Sequence, residues 1–414
     1  MVKEISINDF DYTLPDDMIP VHPLEQRDEC KLLLRTSSGK IYHRVFKELP
    51  DLLPPGALLV CNDTRVINAR MQFHKDTGAG IELFLLEPIE PADYVLNFQS
   101  REECVWKCLV GNSKKWKSGG IFLILDLPDS KKQLKICAER LRQYPDGSSE
   151  VKFSWEGDGI SFSQIIEIAG RIPIPPYLNR ESEERDLSDY QTIYARAKGS
   201  VAAPTAGLHF TDRVFEGLEA HGVEIGKITL HVGAGTFKPV KSEKIGNHAM
   251  HSEPFSVNRD FLKKLIDWKR EGKPVVAVGT TTVRTLESLP IIGKAIMAGS
   301  QDPFRVDQWT AYNDIDTDKL NSINSLEIIL KKMEEEGLEN LVASTSIMIA
   351  PGFHWRIVDA MVTNFHQPKS TLLLLVSSFI GGDDWRKIYE EALSHNYRFL
   401  SYGDASLLFP SVKG

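Results

Sequence analysis

Alternating apolar and polar positions dominate the chain from Val66 to Trp155, in short runs at Arg70-Phe73, Ile81-Leu86, Tyr94-Phe98, Cys104-Val110, Ile121-Leu127, Leu134-Ala138 and Val151-Trp155. Turn-forming clusters separate them: Asp76-Thr77-Gly78, Gly111-Asn112-Ser113, Gly119-Gly120 and Asp146-Gly147. Strands of period two at spacings of about 8–12 residues predict a small all-β barrel or sandwich. Elsewhere the period switches between helical and strand-like. Ser161-Gly170 and Thr211-His221 read as helices, the second with Thr211 as N-cap and Gly222 as terminator. Lys227-Val232 and Pro274-Val278 read as strands, and Asn324-Glu336 and Asp384-Asn396 as amphipathic helices. Because the β-rich block interrupts mixed segments, the predicted architecture is α/β: a discontinuous layered domain (1–65 and 156–414) with an inserted small β-barrel domain (66–155).

Composition narrows the functional classes. With 414 residues, 42% hydrophobic and 26% charged, the chain is an ordinary globular protein of two or three domains by length. The net charge of -8 argues against a surface that grips nucleic acid everywhere, so a phosphate partner needs a local basic patch. Five cysteines form no paired framework, and Cys104-x3-Cys108 lacks the second pair that a closed zinc site requires, so free thiols and no metal are expected. Met1 to Pro20 has no apolar core of a secretory signal. The most apolar run, Thr371 to Ile380, falls well short of the roughly twenty residues that span a bilayer. A cytoplasmic protein without a membrane partner is the expectation.

Candidate chemistry gathers in small, polar segments that follow apolar strands, where α/β proteins keep their sites. Asn62-Asp63-Thr64-Arg65 offers a carboxylate and a guanidinium, or simply an Asx-turn. Gly199 to Thr211, with Pro204, Thr205, Gly207 and His209, is free enough of bulk for backbone N–H groups to approach a ligand; tight packing is the alternative. His231-Val232-Gly233-Ala234-Gly235-Thr236 lacks the third glycine and the helix of a dinucleotide fingerprint. His248-Ala249-Met250-His251-Ser252-Glu253 could ligate zinc, but its alternation suggests a strand edge and polar ligand contact. Thr280, Thr281 and Arg284 follow the strand at 274–278. Asn364, His366, Lys369, Ser370 and then Tyr402 and Asp404 close the series, with capped helix starts or polar turns as the plainer reading. Together these segments describe a site for a large polar ligand, with imidazoles for proton transfer. A G-x-S-x-G nucleophile elbow is absent.

The segments VCNDTRV (60–66), SVAAPTAGLHFT (200–211), LHVGAGTFKPV (230–240), HAMHSE (248–253), AVGTTTVRTLES (277–288), TNFHQPKSTLLLLVS (363–377) and YRFLSYGDA (397–405) resemble the S-adenosylmethionine:tRNA ribosyltransferase-isomerase family of queuosine biosynthesis. They stand in the family's order along nearly the whole chain. The resemblance implies an α/β fold with an inserted barrel. It also implies transfer and isomerisation of the ribosyl group of S-adenosylmethionine onto 7-aminomethyl-7-deazaguanine at the wobble position of tRNA, yielding epoxyqueuosine, adenine and methionine. S-adenosylmethionine is then a co-substrate, no cofactor is permanently bound, and the partners are tRNA and the donor, with the chain a monomer.

On this reading His209, His231 and His366 are the candidate proton-transfer groups, and Asp63 and Asp404 orient a histidine or hold an ammonium. Arg65 and Arg284 are candidates for the donor carboxylate or RNA phosphate, and the glycine loops at Gly207 and Gly233-Gly235 for approach to the adenosine. The remaining polar residues named above are candidates for substrate contact. For tRNA, the segment from Trp106 to Lys152 holds ten cations against five acids; among them Lys107, Lys114, Lys115 and Lys117, interleaved with Trp106 and Trp116, suit a backbone-and-stacking contact. Between Trp309 and Thr345 the chain looks expanded relative to the family, so no site residue is assigned there; Cys61 and Gln367 replace commoner apolar residues. Two other classes compete: a methyltransferase using the same donor, against which the failed dinucleotide fingerprint speaks, and a non-catalytic RNA-binding protein.

Overall fold

The computed structural model describes residues 2–127, 133–157, 159–233, 242–312 and 322–411. Four of its described strands are buried along their whole length: Leu58–Asn62, Val275–Val278, Ala360–Asn364 and Ala405–Leu408. A near-continuous apolar run with both faces covered is what a parallel α/β sheet demands. Successive side chains of these strands feed two different cores. Leu58, Val60, Val275 and Ala277 join a core that includes Leu262, Leu286, Leu326 and Leu374 from four helices. Leu59, Cys61, Val276 and Val278 join a second core with Phe46, Val214 and Leu218.

The large sheet has ten strands, in the order Arg305–Val306, Asn340–Thr345, Glu253–Asn258, Glu224–Leu230, Leu58–Asn62, Val275–Val278, Ala360–Asn364, Ala405–Leu408, Lys31–Arg35 and Ile41–Val45. The four from Glu224–Leu230 to Ala360–Asn364 run parallel to one another. Their carboxyl ends therefore lie on one edge, and each opens into one of the polar segments singled out above. The segment at 251–255 is not a sheet edge: the strand Glu253–Asn258 is hydrogen-bonded on both sides, to Glu224–Leu230 and to Asn340–Thr345. The expanded stretch supplies that second neighbour and the helix Ser322–Glu335, and so covers what would otherwise be an open flank.

The β module is a closed six-stranded barrel. Arg70–His74, Gly80–Glu90, Glu103–Val110, Ser149–Trp155, Gln133–Gln143 and Ile121–Asp126 pair in that order, and Ile121–Asp126 returns to the first strand where Phe122 pairs with His74. Trp106, Phe73, Phe153 and Ile136 fill it, and the apolar core runs on past Trp155 into Phe162, Ile165 and Ile166 of the helix Phe162–Ala169. Cys104 and Cys108 point into this core as free, buried thiols.

One predicted barrel strand is wrong. Tyr94-Phe98 is the helix Tyr94–Gln99, because the Asp93 carboxylate accepts from the N–H of Leu96 and caps it. No helix among the described residues is long and apolar enough to cross a membrane.

The helix Thr280–Met297 carries two anchors. Glu287 is fully buried and accepts hydrogen bonds from the backbone N–H groups of Arg356, Ile357 and Val358. Burial nonetheless raises its pKa above the usual carboxylate value, the three donors opposing. Gly293 lets the helix lie against Ser325, since a Cβ there would stand 2.3 Å from the Ser325 carbonyl oxygen. Gly293→Ala should therefore lower stability by about 1–3 kcal/mol through overpacking, read as a lower urea midpoint at unchanged slope.

Candidate active site

Above the carboxyl ends of the parallel strands lies an open cleft, about 1160 Å³ with the solvent at its mouth included. Open α/β sheets place ligands there because the strand-end loops diverge and leave a crevice. Of the residues nominated from sequence, the cleft is lined by Pro204, Thr205, His248, His251, Thr280, Thr281, Arg284, Asn364, His366, Lys369 and Ser370. Segments up to about 170 residues apart in sequence are thus brought to one wall.

Asn62 explains how the wall is held. Its buried carboxamide accepts from the N–H groups of Thr64 and Leu230, at 3.2 and 3.0 Å, and donates to the Leu230 carbonyl at 3.0 Å and to Thr281 Oγ1 at 3.4 Å. One side chain ties together three strand ends. It does not line the cleft.

His209 and His366 are buried and His231 is partly buried, and burial lowers the pKa of each to about 4. For His209 the nearby Asp404 opposes the shift, while Arg398 and Arg27 add to it. Each is a neutral imidazole at physiological pH. His366 lines the cleft, with Nε2 3.0 Å from Thr363 Oγ1. Its backbone is pinned from both sides: its N–H donates to the Tyr389 hydroxyl, and its carbonyl accepts from the Tyr12 hydroxyl. His209 sits one layer back. Its Nε2 is 3.0 Å from Asn364 Nδ2, and Asn364 Oδ1 accepts from Thr205 Oγ1 at 2.8 Å, so the amide links the imidazole to the cleft wall. On its other side Nδ1 is 3.4 Å from Cys30 Sγ, beside a second, small cavity that Tyr402 and Arg398 also line. His231 faces the barrel instead, tilted against Tyr94 with ring centroids 4.3 Å apart and with Nδ1 3.1 Å from Thr64 Oγ1.

A buried polar cluster closes one end of the cleft. Glu253 pairs with Arg284, accepts from the N–H of Gly233 at 3.3 Å and lies 3.0 Å from His251 Nε2. Burial would raise the Glu253 pKa, but the charges of Arg284 and His251 prevail and hold it at about 2. Gln308 clamps the adjoining loop by donating to the His248 carbonyl and accepting from the Met250 N–H. Burial, with the neighbouring His251, lowers the His248 pKa.

Several nominated residues do other work. Asp63 accepts from Thr229 Oγ1, and Asp404 from the N–H groups of Lys31 and Arg398 and from the Arg398 guanidinium, so neither carboxylate hydrogen-bonds a histidine. Gly207 is not an approach point for a ligand: a Cβ there would lie 2.0 Å from the Tyr194 hydroxyl, so the glycine is needed for packing. Ser370 caps the helix Thr371–Ile380. Tyr402 donates to Asp186, and Arg65 is exposed. Lys369, in a left-handed backbone conformation, pairs with Asp11 at 3.0 Å. Gly235 and Thr236 lie outside the described residues, as do Lys131 and Lys132 of the basic segment.

The barrel segment needs a correction. Trp106 and Trp116 are fully buried, with their indole N–H groups donating to Asn97 and Gly119, so neither offers a stacking face to a base. Apolar area that closes a small barrel outweighs exposure for a distant partner. Lys107 pairs with Glu87 at 3.0 Å, whereas Lys114, Lys115 and Lys117 are exposed around one turn.

Sequence reasoning missed Tyr177, Tyr190, Phe365 and Ser401 in the cleft wall. Ser401 lies within the YRFLSYGDA segment, next to the nominated Tyr402, and Phe365 within TNFHQPKS. Tyr177 reaches the wall by a 2.5 Å hydrogen bond to Ser401, for which the sequence carries no local signal.

Comparison with known proteins adds the following. The family model described as "Queuosine biosynthesis protein" matches residues 7–408. Curated relatives bearing the name S-adenosylmethionine:tRNA ribosyltransferase-isomerase come from Thermotoga petrophila (38% identity), Desulfitobacterium hafniense (38%) and Halothermothrix orenii (37%). Each match covers 98% of this chain and 100% of the relative. A crystal structure of S-adenosylmethionine tRNA ribosyltransferase from Thermotoga maritima is 30% identical, covering 96% of this chain and 99% of that one with a TM-score of 0.46.

Two predictions follow from the buried charges. Glu253→Gln leaves Arg284 buried beside a neutral amide and should cost about 3 kcal/mol of stability, measured by urea unfolding at neutral pH. The pH dependence has a definite sign. Unfolded histidines protonate below about pH 6.5 while the folded ones stay neutral to about 4. Stability is therefore complete above about pH 6.5 and falls as pH drops toward 4, by up to about 3 kcal/mol per histidine. Glu253 adds a further loss between the unfolded carboxylate value and about pH 2. A urea midpoint that stays flat from pH 7 to 5 would contradict the histidine contribution.

Proposed function

The chain belongs to the queuosine biosynthesis protein family, and we propose that its chemistry takes place in the cleft above the parallel strands. The activity is that of an S-adenosylmethionine:tRNA ribosyltransferase-isomerase, an enzyme of tRNA queuosine modification. The ribosyl moiety of S-adenosylmethionine is transferred and isomerised onto 7-aminomethyl-7-deazaguanine at the tRNA wobble position, with epoxyqueuosine, adenine and methionine as products.

The observation that carries the site assignment is the character of the cleft's ionisable lining. Among the described residues it contains His248, His251, His366, Arg284, Lys369, Tyr177 and Tyr190 and no carboxylate. The reaction needs a base at carbon 5' of the donor ribose, where the adjacent sulfonium acidifies the protons. Loss of such a proton gives an ylide that opens the ring and expels adenine. A neutral imidazole on the cleft wall has a free lone pair for that proton and can pass one on to the departing base, although its lowered pKa weakens it as a base. In our reading His366 is that base, since it is the one of the three neutral histidines that lines the cleft. His209 acts through Asn364 as a positioning residue, and Lys369 exchanges its pairing with Asp11 for the methionine carboxylate, Arg284 being neutralised by Glu253. Thr205, Thr280 and Thr281 offer hydroxyls to the ribose.

The tRNA contact belongs, in this reading, to the inserted module at 66–155. Lys114, Lys115 and Lys117 act on the phosphate backbone by charge, without aromatic stacking. The chain works as a cytoplasmic monomer with no permanently bound cofactor, which gel filtration and the absorbance spectrum of the purified protein would check.

His366→Ala should lower single-turnover adenine release by about 100-fold or more with donor binding retained. Full release by that variant would remove His366 from the mechanism. His209→Ala tests the positioning role through a smaller loss that Asn364→Ala reproduces. Reversing Lys114, Lys115 and Lys117 to Glu should weaken tRNA binding at low salt and reduce the log–log salt slope by about 3. An unchanged slope would place the RNA elsewhere.

A further inference from the structure

His43, Glu391 and His395 lie on the far flank of the large sheet, and none of them lines the cleft. His43 is on the outermost strand, Ile41–Val45, while Glu391 and His395 stand four residues apart at the end of the helix Asp384–Ser394. His43 Nε2 is 3.2 Å and His395 Nδ1 3.3 Å from the same oxygen, Glu391 Oε1, and one ligand atom from each residue lies within 4.8 Å of the others. Ligands around a tetrahedral ion with bonds of about 2.0 Å are separated by about 3.3 Å. Two of the three separations already have that value.

We propose that these three side chains form a binding site for a transition-metal dication of the zinc class, with the fourth position open to water. The donor set of two imidazoles and one carboxylate favours zinc, cobalt, nickel or copper over the all-oxygen sites of magnesium and calcium. Two features outside the triad support it. First, His43 Nδ1 is 2.9 Å from the hydroxyl of Tyr397, whose ring is buried, which orients the imidazole with Nε2 toward Glu391; when Nε2 gives up its proton to a metal, Nδ1–H can donate to that hydroxyl, as in metal-bound histidines. Second, the site sits at a helix C-terminus, where the macrodipole favours a cation. The Lys31 ammonium is engaged by the carbonyls of His395 and Asn396, and that of Lys387 by Asp384. His395 Nδ1 also lies 3.0 Å from the Glu391 carbonyl and 3.1 Å from Ser394 Oγ, so binding replaces the proton held there and releases it to solvent. Side-chain exposures of 37, 38 and 49% leave the triad within reach of a dissolved ion.

The bound ion would clip the edge strand to the C-terminal helix and cover part of an otherwise open sheet edge. Its role is structural and separate from the ribosyl transfer.

The test titrates the full-length chain, stripped with a chelator, with Zn2+ and separately with Co2+. One equivalent should bind, the Co2+ form should show the intense visible bands of a tetrahedral site, and the thermal midpoint should rise by several degrees. His395→Ala and His43→Gln should each weaken binding at least tenfold, while the melting of the metal-free variants and their adenine release stay at the wild-type level. Metal binding and a midpoint shift that persist in both variants, or a wild-type chain that binds less than one equivalent, would overturn the proposal.

Discussion

The buried carboxamide of Asn62 is the constraint on which the site depends. Parallel strands leave unpaired backbone groups at their carboxyl ends, and the loops that follow would otherwise splay apart. Asn62 satisfies Thr64 and Leu230 and reaches Thr281, so three of the four loops share one fixed origin. An unpaired buried amide would cost about 1–3 kcal/mol, so the arrangement holds or fails as a unit. The cleft inherits its shape from that junction, with Asn364 and its partners Thr205 and His209 completing the wall from the fourth strand.

Burial then does the chemical work. The same packing that excludes water from the strand ends keeps three imidazoles neutral and holds Glu253 ionised between Arg284 and His251. A single environment thus separates bases from fixed charges. The carboxylates nominated by residue type, Asp63 and Asp404, hold a hydroxyl, backbone N–H groups and the Arg398 guanidinium in this structure.

The inserted barrel shows a different balance. Its alternating strands were legible because one face of each is buried and one is solvated, and that pattern survives in isolation. The helix at Tyr94–Gln99 was not, because five residues cannot distinguish a period of two from 3.6 and the decisive contribution came from the Asp93 cap. Trp106 and Trp116 were misread for a related reason. Sequence proximity to lysines says nothing about which face of a strand an indole occupies once the barrel closes.

By itself the sequence determined the α/β class, the inserted β module, the polar strand-end segments and, through their order, the family. Each of these rests on local periodicity or on short motifs that need no knowledge of distant partners. Only the tertiary structure decided that His366 faces the cleft, that His209 stands behind Asn364 and that His231 turns to Tyr94. It alone showed that His43 meets Glu391 and His395 across about 350 residues of chain. Side-chain direction and burial are properties of packing between elements far apart in sequence, and no local pattern encodes them.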